Sequence, residues 1–495
     1  MTSDEPRSGA PAIDPGVEAS GSAEHGPGLA RRITPPLLLL FIVGDILGTG
    51  VYALTGKVAK EIGGAVWLPF LCAFIVAILT AMSYLELVTK YPKAGGAAVY
   101  AHKAFGVHFF TFIVAFTVMC SGLTSASSAS KAFASNLAKV VGLDWKSGTI
   151  GIIALSLGFI VLVAVINLRG VSESVKVNVV LTLIELSGLV IIIAVGMFAI
   201  AVGKGDTSQL THIEVPAGES AFGAVTAATA LAFFAMVGFE DSVNMAEETK
   251  DPVRTFPKIM LLGMVFTGVV YLLVAVSSIA LVPAKELGEG DTPLLKVLQA
   301  GAPSFPVGIF AGITVFAVAN TALLNMLMAS RLLYGMAQER VLPHPLGRVS
   351  RRQTPWVAII FTTLVAMGLI WFADLQALGG TTAFLLLVVF TTVNISVLVL
   401  KRRPVEHAHF TVPTIVPVLG ALASAFLASP LSGRATQDFV IGGWLLLVGL
   451  ALWGVTYLLN KFVYRRQPPM GLERLEELGG HPDELRKQRE GRPYT

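Results

Sequence analysis

Apolar runs of about 20 residues recur along the whole chain, and they constrain its fold more than any other feature. A helix of about 20 residues crosses the roughly 30 Å hydrocarbon core of a bilayer. Only 14% of the residues are charged, against about 25% in a soluble globular protein. The runs also lack the alternation of transmembrane β-strands. The sequence therefore predicts an all-α polytopic membrane protein.

We predict twelve transmembrane spans with a polar tail at each end. Residues 1–30 are rich in Gly, Pro, Ser and Ala, which is typical of disorder. Residues 466–495 form a second, charged tail. Pro252 and Pro257 predict that no continuous helix runs through residues 247–258. The predicted spans cover residues 35–58, 66–88, 105–130, 149–168, 175–202, 220–246, 258–282, 305–337, 355–373, 380–400, 412–430 and 440–463.

Basic residues are concentrated in one of the two sets of loops. Lys401, Arg402 and Arg403 directly after span 10 are an example. Cytoplasmic loops carry the excess of Lys and Arg, and an even number of spans leaves both termini on one side. We therefore expect a multi-pass protein of the plasma membrane whose N- and C-termini are cytoplasmic.

The sequence contains no residue pattern typical of catalysis or metal binding. Its two cysteines, Cys72 and Cys120, both lie in apolar runs, where packing is the simplest role. The sequence contains no P-loop, zinc-ligand spacing, catalytic triad or nucleic-acid module. We expect no enzyme activity, no cofactor, no metal and no nucleic-acid partner, with the lipid bilayer as the surroundings.

Two spans contain residues that weaken a helix. Span 1 carries Gly44, Asp45, Gly48 and Gly50 within VGDILGTGVY, and span 6 carries FFAMVGFED at residues 233–241. Glycine or polar interruptions at matching places in two halves of a transporter indicate a substrate site. Span 6 follows span 1 by five spans, so spans 1–5 and 6–10 fit two repeats of opposite topology.

A broken helix provides charge-binding groups from its backbone. Free N–H groups at the start of the second half suit a carboxylate, and free carbonyls at the end of the first half suit an ammonium group. Two facing breaks therefore fit an α-amino acid. The alternative is that Gly44 and Gly48 form a small-residue packing motif between helices.

Several stretches resemble the amino acid–polyamine–organocation (APC) superfamily of permeases. VGDILGTGVY and residues 392–404 look closest to its cationic amino acid transporter-like members. The resemblance implies a 5+5 inverted repeat with broken helices 1 and 6 in a transporter core, residues 31–403, followed by two extra helices in residues 404–465. The stretches that carry it are VGDILGTGVY and residues 83–100, 166–178, 234–260 and 329–343.

The resemblance also implies roles for individual residues. Thr49 and Gly50, with neighbouring amides such as that of Gly48, would hold the substrate carboxylate. The carbonyls of Val43, Gly44 and Ile46 would face the amino group, with Asp45 beside them. In span 6, Ala235, Gly238 and Glu240 would belong to the site, and either Phe234 or its neighbour Phe233 would be the aromatic gate. For Glu240 the alternative is a hydrogen bond to the freed backbone.

Asp45 and Glu185 are the candidate coupling residues. An ionisable side chain within a span is a functional hypothesis by default, and a buried carboxyl group can exchange protons near neutral pH. Spans 1 and 5 are neighbours in this superfamily, so the two carboxyl groups fit a shared proton or a substrate cation. For Glu185 the structural alternative is a hydrogen bond to Thr182 or Ser187.

These observations predict a secondary active transporter of amino acids, coupled to H⁺ and working by alternating access. Sodium coupling is a rival, with Asn320, Thr321 and Asn325 of span 8 as possible ligands. Exchange without an ion, polyamine transport and a transport-inactive nutrient sensor are further alternatives. The residues leave the choice between cationic and neutral amino acids open.

Overall fold

A computed structural model of the protein describes residues 33–92, 96–143, 145–169, 175–215, 220–246, 248–338, 341–350, 354–459 and 461. The described residues form helices, with isolated bridges but no strand among them. The two predicted tails lie outside the described residues. The α-helices are Pro35–Ile62, Trp67–Lys90, Gly96–Phe105, His108–Val140, Ile150–Arg169, Val175–Ala201, Ala221–Ala232, Pro252–Leu281, Ala284–Leu287, Pro293–Gly301, Val307–Gln338, Trp356–Phe372, Leu375–Leu400, Ile415–Ala428 and Thr436–Leu458.

The helices match the predicted spans closely. Ten helical segments are long and apolar enough to cross a membrane, and the predicted spans 9 and 11 correspond to two shorter apolar helices, Trp356–Phe372 and Ile415–Ala428. Large apolar side chains such as Phe372 and Ile150, which are 88% and 82% exposed, point away from the protein. Such surfaces are expected to face lipid tails. The all-α polytopic fold is confirmed.

Two local predictions differ from the structure. Span 3 continues to Val140, and the hydroxyl groups in its Ser-rich part are satisfied within the helix by carbonyls one turn back, as Ser127 is by Leu123. Span 7 begins at Pro252 rather than at residue 258, so Pro257 lies within its first turns. The described residues 248–258 nevertheless form no continuous helix, as the two prolines predicted. The first turn of a helix has no intrahelical partners for its N–H groups, so Pro252 costs nothing there and Pro257 removes one bond.

Packing partners recur after an interval of five spans. Span 1 packs on spans 5 and 7, and span 6 packs correspondingly on spans 10 and 2. Span 3 lies along span 8 in the most extensive helix pair, and span 1 contacts span 6 at the centre. This pattern supports two equivalent halves and puts both interrupted helices in the interior.

Aromatic rings join spans 2, 6 and 10 around these interrupted helices. The Tyr84 ring lies 5.8 Å from those of both Phe239 and Phe390, in edge-on arrangements. Phe390 also contacts Phe233, at 5.9 Å between ring centres. Edge-to-face aromatic pairs add about 0.5–1.5 kcal/mol beyond their burial. The cluster therefore supports span 6 on both sides of Gly238.

Candidate substrate site between two interrupted helices

Span 1 is interrupted at Gly48. This residue has φ 0° and ψ −155°, whereas the segments before and after it are helical. A β-carbon on Gly48 would lie 2.8 Å from the Thr321 hydroxyl oxygen of span 8. The glycine therefore both breaks the helix and allows span 8 to approach the break.

Span 6 is interrupted over a longer stretch. Its α-helix ends at Ala232, and a short 3₁₀ helix follows at Phe233–Met236. Val237 is extended, with φ −78° and ψ 146°. Gly238 has φ +125°, a conformation open to glycine but unfavourable for other residues. The break predicted from FFAMVGFED thus lies where the sequence placed it.

The two interruptions touch each other. A β-carbon added to Gly238 would lie 2.6 Å from the Asp45 carbonyl oxygen and 2.9 Å from the Ile46 nitrogen. One added to Gly50 would lie 2.4 Å from the Ala235 α-carbon. Five of the predicted site residues are therefore brought together by backbone contacts that only glycine permits.

Thr49 of span 1 has a buried hydroxyl group that could bind a ligand. It follows the break directly, is 1% exposed, and its hydroxyl has no hydrogen-bond partner among the described residues. Buried hydroxyl groups are nearly always hydrogen-bonded, so this one, beside the broken helix, is available to a polar ligand.

The residues of span 1 before the break pack closely against spans 5 and 7. The Ile46 carbonyl already accepts a hydrogen bond of 2.5 Å from the Tyr271 hydroxyl of span 7. Gly44 lies against Thr182 of span 5, with its hypothetical β-carbon 1.9 Å from the hydroxyl oxygen. Val43 is 3% exposed. Close packing at Gly44 and substrate contact elsewhere in the break are therefore compatible roles.

Tyr271 is a residue that the sequence analysis missed. It lies in the plain apolar helix of span 7, and nothing in its neighbourhood distinguishes it from other aromatic residues. Its hydroxyl group is fully buried and stabilises a carbonyl freed near the break in span 1. Only the packing of span 7 against span 1 reveals this contact.

The two candidate gate residues have different surroundings. Phe233 is completely buried against Phe390 in the aromatic cluster. Phe234 lies by the start of span 10, 3.6 Å from the position of a β-carbon on Gly379. A gate must move during transport, so these contacts favour Phe234 as the gate and Phe233 as its support.

Glu240 stabilises the break in span 6. One of its carboxylate oxygens accepts a hydrogen bond of 2.9 Å from the Gly238 N–H. This is the backbone interaction that the sequence left open as an alternative to substrate contact. Glu240 and Asp241 also line a small cleft together with Ser121, Asn325 and Thr382, so carboxylates lie at the edge of the candidate site.

Glu185 lies in span 5 on the far side of span 1. It is 1% exposed, and neither carboxylate oxygen has a hydrogen-bond partner among the described residues. Ser187, one predicted partner, bonds instead to the Ile184 carbonyl at 2.6 Å. The Tyr52 hydroxyl of span 1 bonds to the main-chain oxygen of Glu185. Span 5 is thus tied to span 1 while its carboxyl group stays unpartnered.

The fold and the site define a polytopic α-helical membrane protein with a backbone-lined site between two interrupted helices. The sequence profile of the amino acid permease family matches residues 36–452. The chain therefore belongs to this family, and the resemblance to APC permeases is confirmed.

Individual relatives are named for different substrates. The chain is 29% identical to the vacuolar cationic amino acid transporter 2 of Arabidopsis thaliana, over 79% of this chain and 63% of that one. It is 25% identical to the branched-chain amino acid permease BcaP of Bacillus subtilis, over 89% and 94%. It is 27% identical to the methylthioribose transporter of the same species, over 86% and 94%. The chain thus spans less than two thirds of the Arabidopsis relative.

Proposed function

We propose that the protein is a secondary active transporter that moves amino acids across the plasma membrane by alternating access. The observation that carries the proposal is the contact between the two breaks, with the unpartnered Thr49 hydroxyl beside them. Backbone N–H groups after Gly48 suit a carboxylate, and Thr49 adds a donor. Carbonyls around Val43 to Ile46 suit an ammonium group. Spans 1, 2, 6 and 7 would move against spans 3, 4, 5, 8, 9 and 10.

Proton coupling is the favoured energy source. Glu185 is a buried carboxyl group without a protein partner among the described residues, so protonation would remove an uncompensated charge from an apolar surrounding. Its span is bonded to span 1 through Tyr52. A change in the Glu185 side chain would therefore act directly on the helix that carries the site.

Sodium coupling is supported by one specific contact. The Thr321 hydroxyl of span 8 lies against Gly48, and the Asn325 amide bonds to the Thr321 carbonyl at 2.9 Å. Carbonyl, hydroxyl and amide oxygens are the ligands that hard cations prefer. A sodium ion at this place would join spans 1 and 8.

The carboxylates near the site allow two substrate classes. Asp241 and Glu240 at the cleft favour a cationic side chain or a polyamine, whereas carboxyl groups that serve protons would leave the substrate neutral. The relatives are named for both cationic and branched-chain amino acids. We expect the choice to depend on the cleft lined by Glu240 and Asp241.

One experiment tests the whole proposal. Purified protein is reconstituted in liposomes, and uptake of a labelled panel of amino acids and polyamines is measured with an imposed pH gradient, a sodium gradient or neither. We expect uptake of an amino acid driven by an inward proton gradient. Uptake driven only by sodium, or only by internal amino acid, would select the rival mechanisms. Saturable binding without any uptake would favour a sensor.

A further inference from the structure

Arg434, in the loop between spans 11 and 12, is the most completely bonded cation among the described residues. Its side chain is 1% exposed and pairs with Asp438 at 2.9 Å. Its guanidinium group also donates to the carbonyls of Gly380 at 2.6 Å, Ala230 at 3.1 Å and Leu427 at 3.2 Å. One side chain therefore joins spans 6, 10, 11 and 12.

These bonds flank the candidate gate. Ala230 lies one helical turn before Phe234 in span 6. Gly380 follows Gly379, whose hypothetical β-carbon would lie 2.5 Å from Leu54 and 3.6 Å from Phe234. Arg434 thus joins the part of span 6 just before Phe234 to the part of span 10 that contacts Phe234 and Leu54.

Arg434, Asp438 and Ala230 border an open cavity of about 290 Å³. Its wall includes Glu61, Leu231, Gln376, Arg434 and Asp438. The Gln376 amide donates to the Glu61 carboxylate at 2.9 Å, which ties the end of span 1 to the start of span 10. Spans 1 and 6 are therefore both fastened to span 10 beside this cavity.

We propose that Arg434 is the outer clasp of the transport cycle. It holds the outer ends of spans 6 and 10 together over Phe234, and its bond to Ala230 or Gly380 must break before a substrate passes from the cavity to Thr49. The inference rests on the proposed alternating access. Arg434 is a positioning residue, because it acts on span 6 and touches no residue of the substrate site directly.

Arginine suits this task for two reasons. Its planar group carries five donors in fixed directions, so it can bond carbonyls from several helices at once. Asp438 balances its charge, and Gly380 makes room for that carboxylate, since a β-carbon there would lie 2.5 Å from an Asp438 oxygen. Removing one member of a buried pair leaves an uncompensated charge, so the test removes both.

The test measures how fast a thiol reagent reaches a cysteine introduced in place of Leu54, a residue that is 2% exposed. In a background with Cys72→Ala and Cys120→Ala, Leu54→Cys is labelled with a membrane-impermeant thiol reagent in intact cells and inside-out vesicles. The double variant Arg434→Met with Asp438→Asn should raise the labelling rate from the outer face on the order of tenfold, as expected for losing hydrogen bonds to a charged group. Arg434→Lys should give a smaller rise.

Two further variants separate a clasp from a simple support. Gly380→Ala keeps both charged residues but displaces Asp438, and should raise labelling in the same direction. Arg402→Met, at an exposed arginine beyond the other end of span 10, should leave it unchanged. A parental labelling rate in either the double variant or Gly380→Ala, at equal amounts of inserted protein, would overturn the proposal. Labelling needs no substrate, so the two proposals can fail separately. Faster labelling of the variants, together with no amino acid uptake by the parental protein, would refute the proposed function and not the clasp.

Discussion

Gly238 of span 6 lies against the Asp45 carbonyl of span 1 so closely that a β-carbon would be 2.6 Å from its oxygen. Gly238 also has φ +125°, which other residues rarely adopt. Gly238→Ala should therefore separate the two breaks and strain the backbone, which costs on the order of 1–3 kcal/mol. We expect loss of amino acid binding, measured by displacement of a labelled substrate from purified protein.

A matched variant distinguishes this effect from a general sensitivity to alanine. Gly368→Ala, in span 9, would meet no atom within 4 Å, and it should bind substrate as the parent does. Normal binding in Gly238→Ala would mean that the contact between the breaks does not shape the site.

Thr49 should contribute to affinity but little to stability. Its hydroxyl has no protein partner among the described residues, so Thr49→Val removes nothing that holds the fold together. If the hydroxyl donates to the substrate carboxylate, its loss should weaken binding about tenfold or more. The measurement is the dissociation constant of the best substrate, together with the midpoint of thermal unfolding.

Thr55→Val provides the control for Thr49. Thr55 lies on the same helix and is also buried, but its hydroxyl already donates to the Val51 carbonyl at 2.6 Å. Affinity should be unchanged in this variant. A Thr49→Val variant that binds substrate with the same affinity as the parental protein and Thr55→Val would exclude the Thr49 hydroxyl from substrate binding.

The neighbouring phenylalanines should have separable effects. Phe233→Ala removes a ring packed on Phe390 and should destabilise the protein by about 3–5 kcal/mol. Phe234→Ala should instead raise KM with a smaller change in the unfolding midpoint if, as the resemblance implies, its ring is the gate over the site. The reverse assignment, with KM changed only in Phe233→Ala, would make Phe233 the gate.

The sequence predicted both breaks because glycine and polar residues within long apolar runs have a direct physical meaning. The assignment of Thr49, Gly50, Ala235 and Gly238 to the site came from the resemblance to APC permeases and stays a prediction. Arg434 was not predicted, because its carbonyl partners Gly380 and Ala230 lie 54 and 204 residues away in the chain. A basic residue in a loop carries the same local pattern whether it is solvated or buried, and only tertiary packing distinguishes the two.

Glu185 provides the sharpest test of coupling. An unpartnered polar group in an apolar interior is destabilising, so Glu185→Met should leave the unfolding midpoint equal or higher while proton-driven uptake is lost. Glu185→Gln should retain substrate binding and exchange without a gradient, but lose the stimulation by an imposed pH gradient.

Glu214→Gln, at an exposed carboxylate, is the control and should behave as the parent. The measurement is uptake by proteoliposomes at matched protein density, with and without the gradient. Unchanged stimulation in Glu185→Gln would remove this residue from the coupling mechanism and leave Asp45 as the remaining candidate.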